Sequence, residues 1–324
     1  MLISDIAVIM NLITIALLGF LVSALLLSIT WRLIDKFVDS YSIQSQKVLI
    51  LMWVSGPWIL GLMTMLFFSP IFENTAIYRW VDNVVHWHSF YVFQLDSWHG
   101  VTIILFTLFS LALIVIRGSG LYRQGDALLT LSHFSNTVRG SKCYPGLQII
   151  DSNIPTAFTS GLFRPVCYVS KGLIENLTDS ELNIVVKHEL AHARNKDPLS
   201  KTLIAFLSAY YPRKLAQGFN AKYALVTEFI ADQSTATVYA AEDVAATLVK
   251  VARLQKAFPQ RQSNTSQSYF GSHDITHRVQ QLLTPTNKPM PLIVPIAFMS
   301  AMLCLTIFTV DATHHLVESI FTHS

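Results

Sequence analysis

Four stretches of this chain are long and apolar enough to cross a bilayer, and that constrains its fold more than any other feature. Lipid offers no partner to a backbone N–H or C=O, so a spanning segment must satisfy its own, as an α-helix does. The runs lie at about Ile6–Trp31, Val48–Phe68, Val101–Ile116 and Leu292–Val310. Composition agrees: 52% of residues are hydrophobic and 13% charged, where a soluble domain carries about 25% charged. The first run has no basic leader and is longer than a signal-peptide core, so a retained anchor is expected. A net charge of +3 gives no reason to expect direct nucleic-acid binding. Cys143, Cys167 and Cys304 are too scattered for a disulfide framework or a thiolate metal site, which suits a reducing compartment.

Lys and Arg in short flanking loops set orientation. Arg32, Lys36 and Lys47 follow the first run, and Arg117 and Arg123 follow the third. The loop between the second and third carries only Arg79, beside Glu73, Asp82 and Asp96. The expected topology has both termini outside, an inner loop at 32–47, an outer loop at 69–100 and residues 117–289 in the cytoplasm. Three spans then occupy 1–116, and the fourth with a short outer tail occupies 290–324. The expected location is the inner or plasma membrane of a bacterium, with the lipid bilayer as a partner.

Residues 117–289 are the one segment large enough for a soluble core. Leu147–Ile150, Thr156–Ser160 and Val166–Ser170 are short runs separated by Asn, Gly and Pro, as in a small sheet. Helical periodicity starts at Thr178-Asp-Ser-Glu181, a capping box. Asp197-Pro198 reads as the cap and first position of a second helix. Further helices are expected at about 222–239 and 242–258, and an exposed loop at 260–272. Lys201–Tyr211 is apolar but too short to span, which suits a core or membrane-touching helix. The fold class is therefore a four-helix membrane protein with an α+β domain inserted between its third and fourth spans.

His188-Glu-Leu-Ala-His192 carries the chemistry. Residues four apart share a helix face, so both imidazoles reach one metal ion. Glu189, between them, is angled toward a water on that ion, as a hydrolytic Zn2+ site requires. Zinc would lower the pKa of that water, and Glu189 would accept its proton. Glu228, on a second predicted helix 36 residues beyond His192, is the expected third ligand. Asp232 lies one turn further and is placed to accept a hydrogen bond from a ligand imidazole.

These motifs resemble the BlaR/MecR-type sensor-transducer metalloproteases. The likeness takes in His188–His192, the following Ala193-Arg-Asn-Lys-Asp-Pro198, Glu228-x-x-x-Asp232 and Gly161-Leu-Phe-Arg-Pro-Val-Cys-Tyr-Val-Ser-Lys-Gly172, together with the layout of four spans. It implies a gluzincin, zincin-like domain related to the HtpX and CAAX prenyl-protease group. It also implies regulated cleavage of a cytoplasmic transcriptional repressor. The best-known members carry a penicillin-binding domain after the last span, whereas residues 311–324 alone follow it here. A signal is then expected to enter through the outer loop, the spans, a homo-oligomer or a separate sensor partner.

His273 is similar in placement to a histidine near the site of the HtpX-like relatives, where it would stabilise the developing oxyanion. Thr156–Ser160 offers an edge strand for a substrate peptide, or a plain structural strand. The outer loop interleaves Trp80, Trp87, Trp98, Phe90 and Tyr91 with His86, His88 and His99, as an interfacial segment or a metal sensor would. Two rival functions stand beside the antirepressor protease. One is an HtpX-like quality-control protease, and the other is a non-catalytic receptor with structural zinc.

Overall fold

The computed structural model describes residues 2–3, 5–70, 91–133, 147–257 and 272–322, with backbone alone at 2–3, 121–133, 272–274 and 320–322. Four of its helices are long and apolar enough to cross a membrane. The first two are α1 (Asp5–Val38) and α2 (Ile43–Phe68). A short ladder pairs β1 (Leu2–Ile3) antiparallel with β2 (Val92–Phe93). The third long helix, α3, runs from Trp98 to His133, past the expected end of its span at Ile116.

Small residues let α1 and α2 approach closely. A Cβ on Gly61 would lie 2.6 Å from the Ala16 carbonyl oxygen, and one on Gly19 3.1 Å from the Gly61 Cα. Such close backbone approach is how helices associate where lipid supplies no hydrophobic drive. Half of the most apolar window of each is buried, against 6% for α3. Pro57 sits inside α2 and has no N–H to give the Trp53 carbonyl four residues back. The Tyr211 hydroxyl donates to that carbonyl instead.

The polar half begins with a three-stranded sheet in the order β3 (Leu147–Ile150), β5 (Val166–Ser170), β4 (Ala157–Ser160). β3 is parallel and β4 antiparallel to β5. Gly161, after β4, has φ +110°, a left-handed value that glycine adopts without a Cβ penalty. Helices α4 (Lys171–Asn176), α5 (Asp179–Asn195), α6 (Asp197–Ser208), α7 (Arg213–Ala236), α8 (Ala241–Ala257) and α9 (Ser272–Leu283) follow, then the fourth apolar helix α10 (Ile293–Thr322). The strands occupy the expected residues to within one position. The expected loop at 260–272 lies outside the described residues, except Ser272.

Two expected boundaries moved in the polar half as well. Helix α7 starts nine residues before Lys222 because Pro212 opens it and Ala216 and Phe219 are buried on its first turns. At the α5–α6 junction the cap is Lys196, held at φ 52° and ψ 42°. Asp197 is the first helical residue, not the cap, and its carboxylate is committed elsewhere.

One apolar core joins both halves. Leu27, Trp31, Ile50 and Trp53 of the long helices share it with Ile204, Tyr211, Phe219 and Tyr223. Tyr210 projects the other way, its hydroxyl donating to Ser110 at 3.1 Å and its ring meeting Phe20, Trp58 and Phe106. Lys222 adds ion pairs to Asp35 at 2.8 Å and Asp39 at 3.0 Å.

Candidate metal centre

Helix α5 is started by its capping box. Thr178 accepts from the Glu181 amide and Glu181 accepts from the Thr178 amide at 2.8 Å. Each satisfies an amide the first turn leaves open. Two turns on, His188, Glu189 and His192 are all buried, at 8%, 6% and 6% exposure. Packing of α5 against α7 brings Glu228 and Asp232 to the same place.

Three ligand atoms converge there. His188 Nε2 lies 3.1 Å from His192 Nε2, and Glu228 Oε2 lies 3.4 and 3.5 Å from those two nitrogens. Zinc bonds of about 2.0–2.1 Å in a tetrahedron put neighbouring ligands about 3.3–3.4 Å apart. The three separations therefore match the face of such a tetrahedron, with a fourth position left over. The donor set, two imidazoles and one carboxylate, is that of hydrolytic rather than structural zinc.

A polar shell fixes these side chains. His192 Nδ1 lies 2.6 Å from Asp197 Oδ2, and His188 Nδ1 lies 3.0 Å from Asp232 Oδ1. With both Nδ1 positions engaged by carboxylates, both Nε2 atoms turn inward. Arg278 of α9 donates to both oxygens of Asp232 at 2.7 Å, in the bidentate fork that suits guanidinium and carboxylate. Its Nη1 reaches Glu228 Oε2 at 3.3 Å, and Lys201 Nζ reaches Glu228 Oε1 at the same distance.

Burial alone would push the Glu228 carboxyl up, but His192, Lys201 and Arg278 hold it well below the usual carboxylate range. Burial likewise opposes ionisation of Asp232, and Arg278 overrides it. For His192 burial would favour the neutral ring, yet Glu228 and Asp197 carry it up to about 10. Both acids are thus ready to act as anions, and the surplus negative charge around the rings favours a cation between them.

The structure brings together His188, Glu189, His192, Glu228 and Asp232. The His273 side chain lies outside the described residues, as do those of His86, His88, Trp80, Trp87 and Phe90. Sequence reasoning missed Arg278, Lys201 and Thr159, and read Asp197 as a cap. An arginine in an apolar helical pattern, beside Val279 and Leu282, was a signal for Arg278. Asp197 five residues after His192 was a signal too, since a helix ending there can fold the carboxylate back. Nothing local marks Thr159.

Fold and site together join four helices long and apolar enough to cross a membrane to a His-His-Glu group able to hold a metal ion. The sequence profile of peptidase family M48 matches residues 121–286, and the chain belongs to that family. Protease HtpX homolog 2 of Methanosarcina acetivorans is 35% identical over 71 residues, 21% of this chain and 24% of that protein. Protease HtpX homolog of Moorella thermoacetica is 39% identical over 66 residues, 20% and 22% of the two chains. That of Bacteroides fragilis is 46% identical over 55 residues, 16% and 17%. The matched region therefore spans less than a quarter of these curated relatives.

Proposed function

We propose that the chain is a zinc-dependent endopeptidase that cuts extended protein segments at the membrane surface, with His188, His192 and Glu228 as ligands. The observation that carries this is the convergence of three ligand atoms from two helices within 4.8 Å of one another. A zinc ion held by these three side chains would acidify water and polarise a carbonyl. Glu189 accepts the proton of the water that adds to the scissile carbonyl carbon. The C–N bond then breaks, and that proton passes to the leaving amine nitrogen. Asp197 and Asp232 keep both rings aimed inward, while Arg278 keeps Asp232 and Glu228 ionised. His273 at the start of α9 is the proposed oxyanion donor.

Within this reading we assign the substrate to the cytoplasm, and the resemblance of Ala193–Pro198 and Gly161–Gly172 to sensor-transducer proteases supports a transcriptional repressor. A second reading, proteolysis of membrane proteins at large, is supported by the HtpX names of the relatives. Proteomics of membranes and cytosol carrying wild type or Glu189→Gln separates the two. One cytoplasmic protein cut only by wild type supports the signalling role, and many membrane-protein fragments support the second. No fragment that depends on Glu189 overturns the hydrolase itself.

A further inference from the structure

Strand β4 lies at the edge of its sheet, and one of its residues faces two ways. The Ser170 amide donates to the Thr156 carbonyl at 2.9 Å. In an antiparallel ladder such bonds recur at every second residue, hence at Phe158 and Ser160 in the register Phe158↔Tyr168 and Ser160↔Val166. The main-chain groups of Ala157 and Thr159 are then turned to the open edge, where an extended peptide would pair. The Thr159 side chain stands off the face of the sheet, toward α5. Its hydroxyl lies 2.9 Å from Glu189 Oε2 and 2.8 Å from the Glu189 carbonyl oxygen. Cys167 Sγ is a third, looser neighbour at 3.6 Å.

A glutamate side chain has three rotatable bonds, and helix packing alone does not choose its final torsion. A donor from a separate element does, here one hydroxyl proton shared between Oε2 and the Glu189 carbonyl oxygen. We propose that Thr159 is the positioning residue for Glu189: its hydroxyl pins Oε2 while its own backbone forms the rail on which the substrate strand lies. The base is thereby indexed to the substrate rather than to its own helix. Ligand separation and charge play no part in this. The inference rests on Glu189 acting as the base.

The test uses the full chain in detergent micelles, loaded with zinc, with fluorescein-labelled β-casein as the probe. Thr159→Val removes the hydroxyl at nearly constant shape and leaves the backbone rail intact. Its kcat should fall roughly 10- to 100-fold, the usual cost of losing such an outer partner, with KM within about twofold and zinc content unchanged. Thr159→Ser should restore most of kcat. In a Glu189→Gln background, Thr159→Val should cost nothing further, because the two act as one unit. A Thr159→Val enzyme with wild-type kcat overturns the inference. So does an equal loss in Thr159→Ser, or a loss that follows zinc content or melting temperature. Full activity in Glu189→Gln would instead remove the reading beneath it.

Discussion

Among the described residues, histidines cluster in two places, one on α5 and one where α3 meets α10. In the first, His188 and His192 have ring centroids 4.8 Å apart. In the second, His99 and His314 are 5.8 Å apart, and His314 and His315 are 5.5 Å apart. Both have carboxylates within reach, yet they are built differently. Asp232 and Asp197 meet their rings at Nδ1, come from other helices, and are 2% and 3% exposed. Glu318 and Asp311 meet His314 and His315 at Nε2, sit one turn away on the same helix, and are 33% and 18% exposed. A carboxylate on the same helix engages a ring without steering it toward its neighbour. Carboxylates from different elements fasten the outer nitrogens and drive the inner ones together. Among the described residues, one group of three ligands converges, and it is the first.

The sharpest way to break this contrast is to count metal. His188→Ala or Glu228→Ala should abolish stoichiometric zinc and peptidase activity, whereas His99→Ala with His314→Ala should leave both. Glu189→Gln should keep the zinc and lose activity by about 10²- to 10⁴-fold. Elemental analysis beside a casein assay reads all three, and zinc lost from the His99/His314 variant would erase the distinction.

Arg278 comes next. It is 1% exposed and neutralises Asp232 and Glu228 at once. Arg278→Ala leaves the buried Asp232 without its bidentate cation and Glu228 with Lys201 alone, so zinc-free protein should lose about 3–5 kcal/mol of stability. Arg278→Lys keeps the charge without the fork and should recover only part of it. Reversible unfolding in mixed micelles measures both, and an alanine variant as stable as wild type would show that the fork is dispensable.

The outer carboxylates themselves predict a smaller effect. Asp197→Asn and Asp232→Asn should each weaken zinc affinity by about 10- to 100-fold in competition with a chelator. The matching changes at Asp311 and Glu318 should not move it.

The smallest effect lies away from both clusters, in the α5 cap. Thr178→Ala should cost about 1 kcal/mol. Lys250 at 2.6 Å and the Thr178 amide hold the Glu181 carboxyl below its ordinary value. A depressed carboxylate stabilises the fold above its unfolded pKa, about 4.3, and that contribution fades as pH falls through the lower folded value. The stability gap between wild type and Glu181→Gln should therefore narrow on acidification below about pH 4. A gap that widens would reverse the sign.

Local chemistry explains what the sequence alone revealed. The two histidines four apart, the capping box and the apolar runs are short-range patterns, and α5 and the spans follow from them. Glu228 was within reach because it shares a helix with Asp232 at the same spacing. Arg278 was not, since it lies 46 residues beyond Asp232 and its partners are fixed only by how α9 packs. Asp197 misled because Asp-Pro favours a cap locally, while the left-handed turn at Lys196 frees its carboxylate for His192. Thr159 is invisible in sequence because strand alternation shows which residues share a face, not which carboxylate lies opposite.

The missing N–H of Pro57 has a mechanical consequence. It leaves a socket in the second long helix, and the hydroxyl that plugs it belongs to Tyr211, just beyond α6. The other end of α6 is Asp197, the acceptor that sets the His192 ring. Twelve helical residues make a stiff rod of about 18 Å. One short helix therefore stands between the second long helix and the carboxylate that engages the His192 ring. A fragment cut free of the second long helix would leave the Tyr211 hydroxyl without this acceptor.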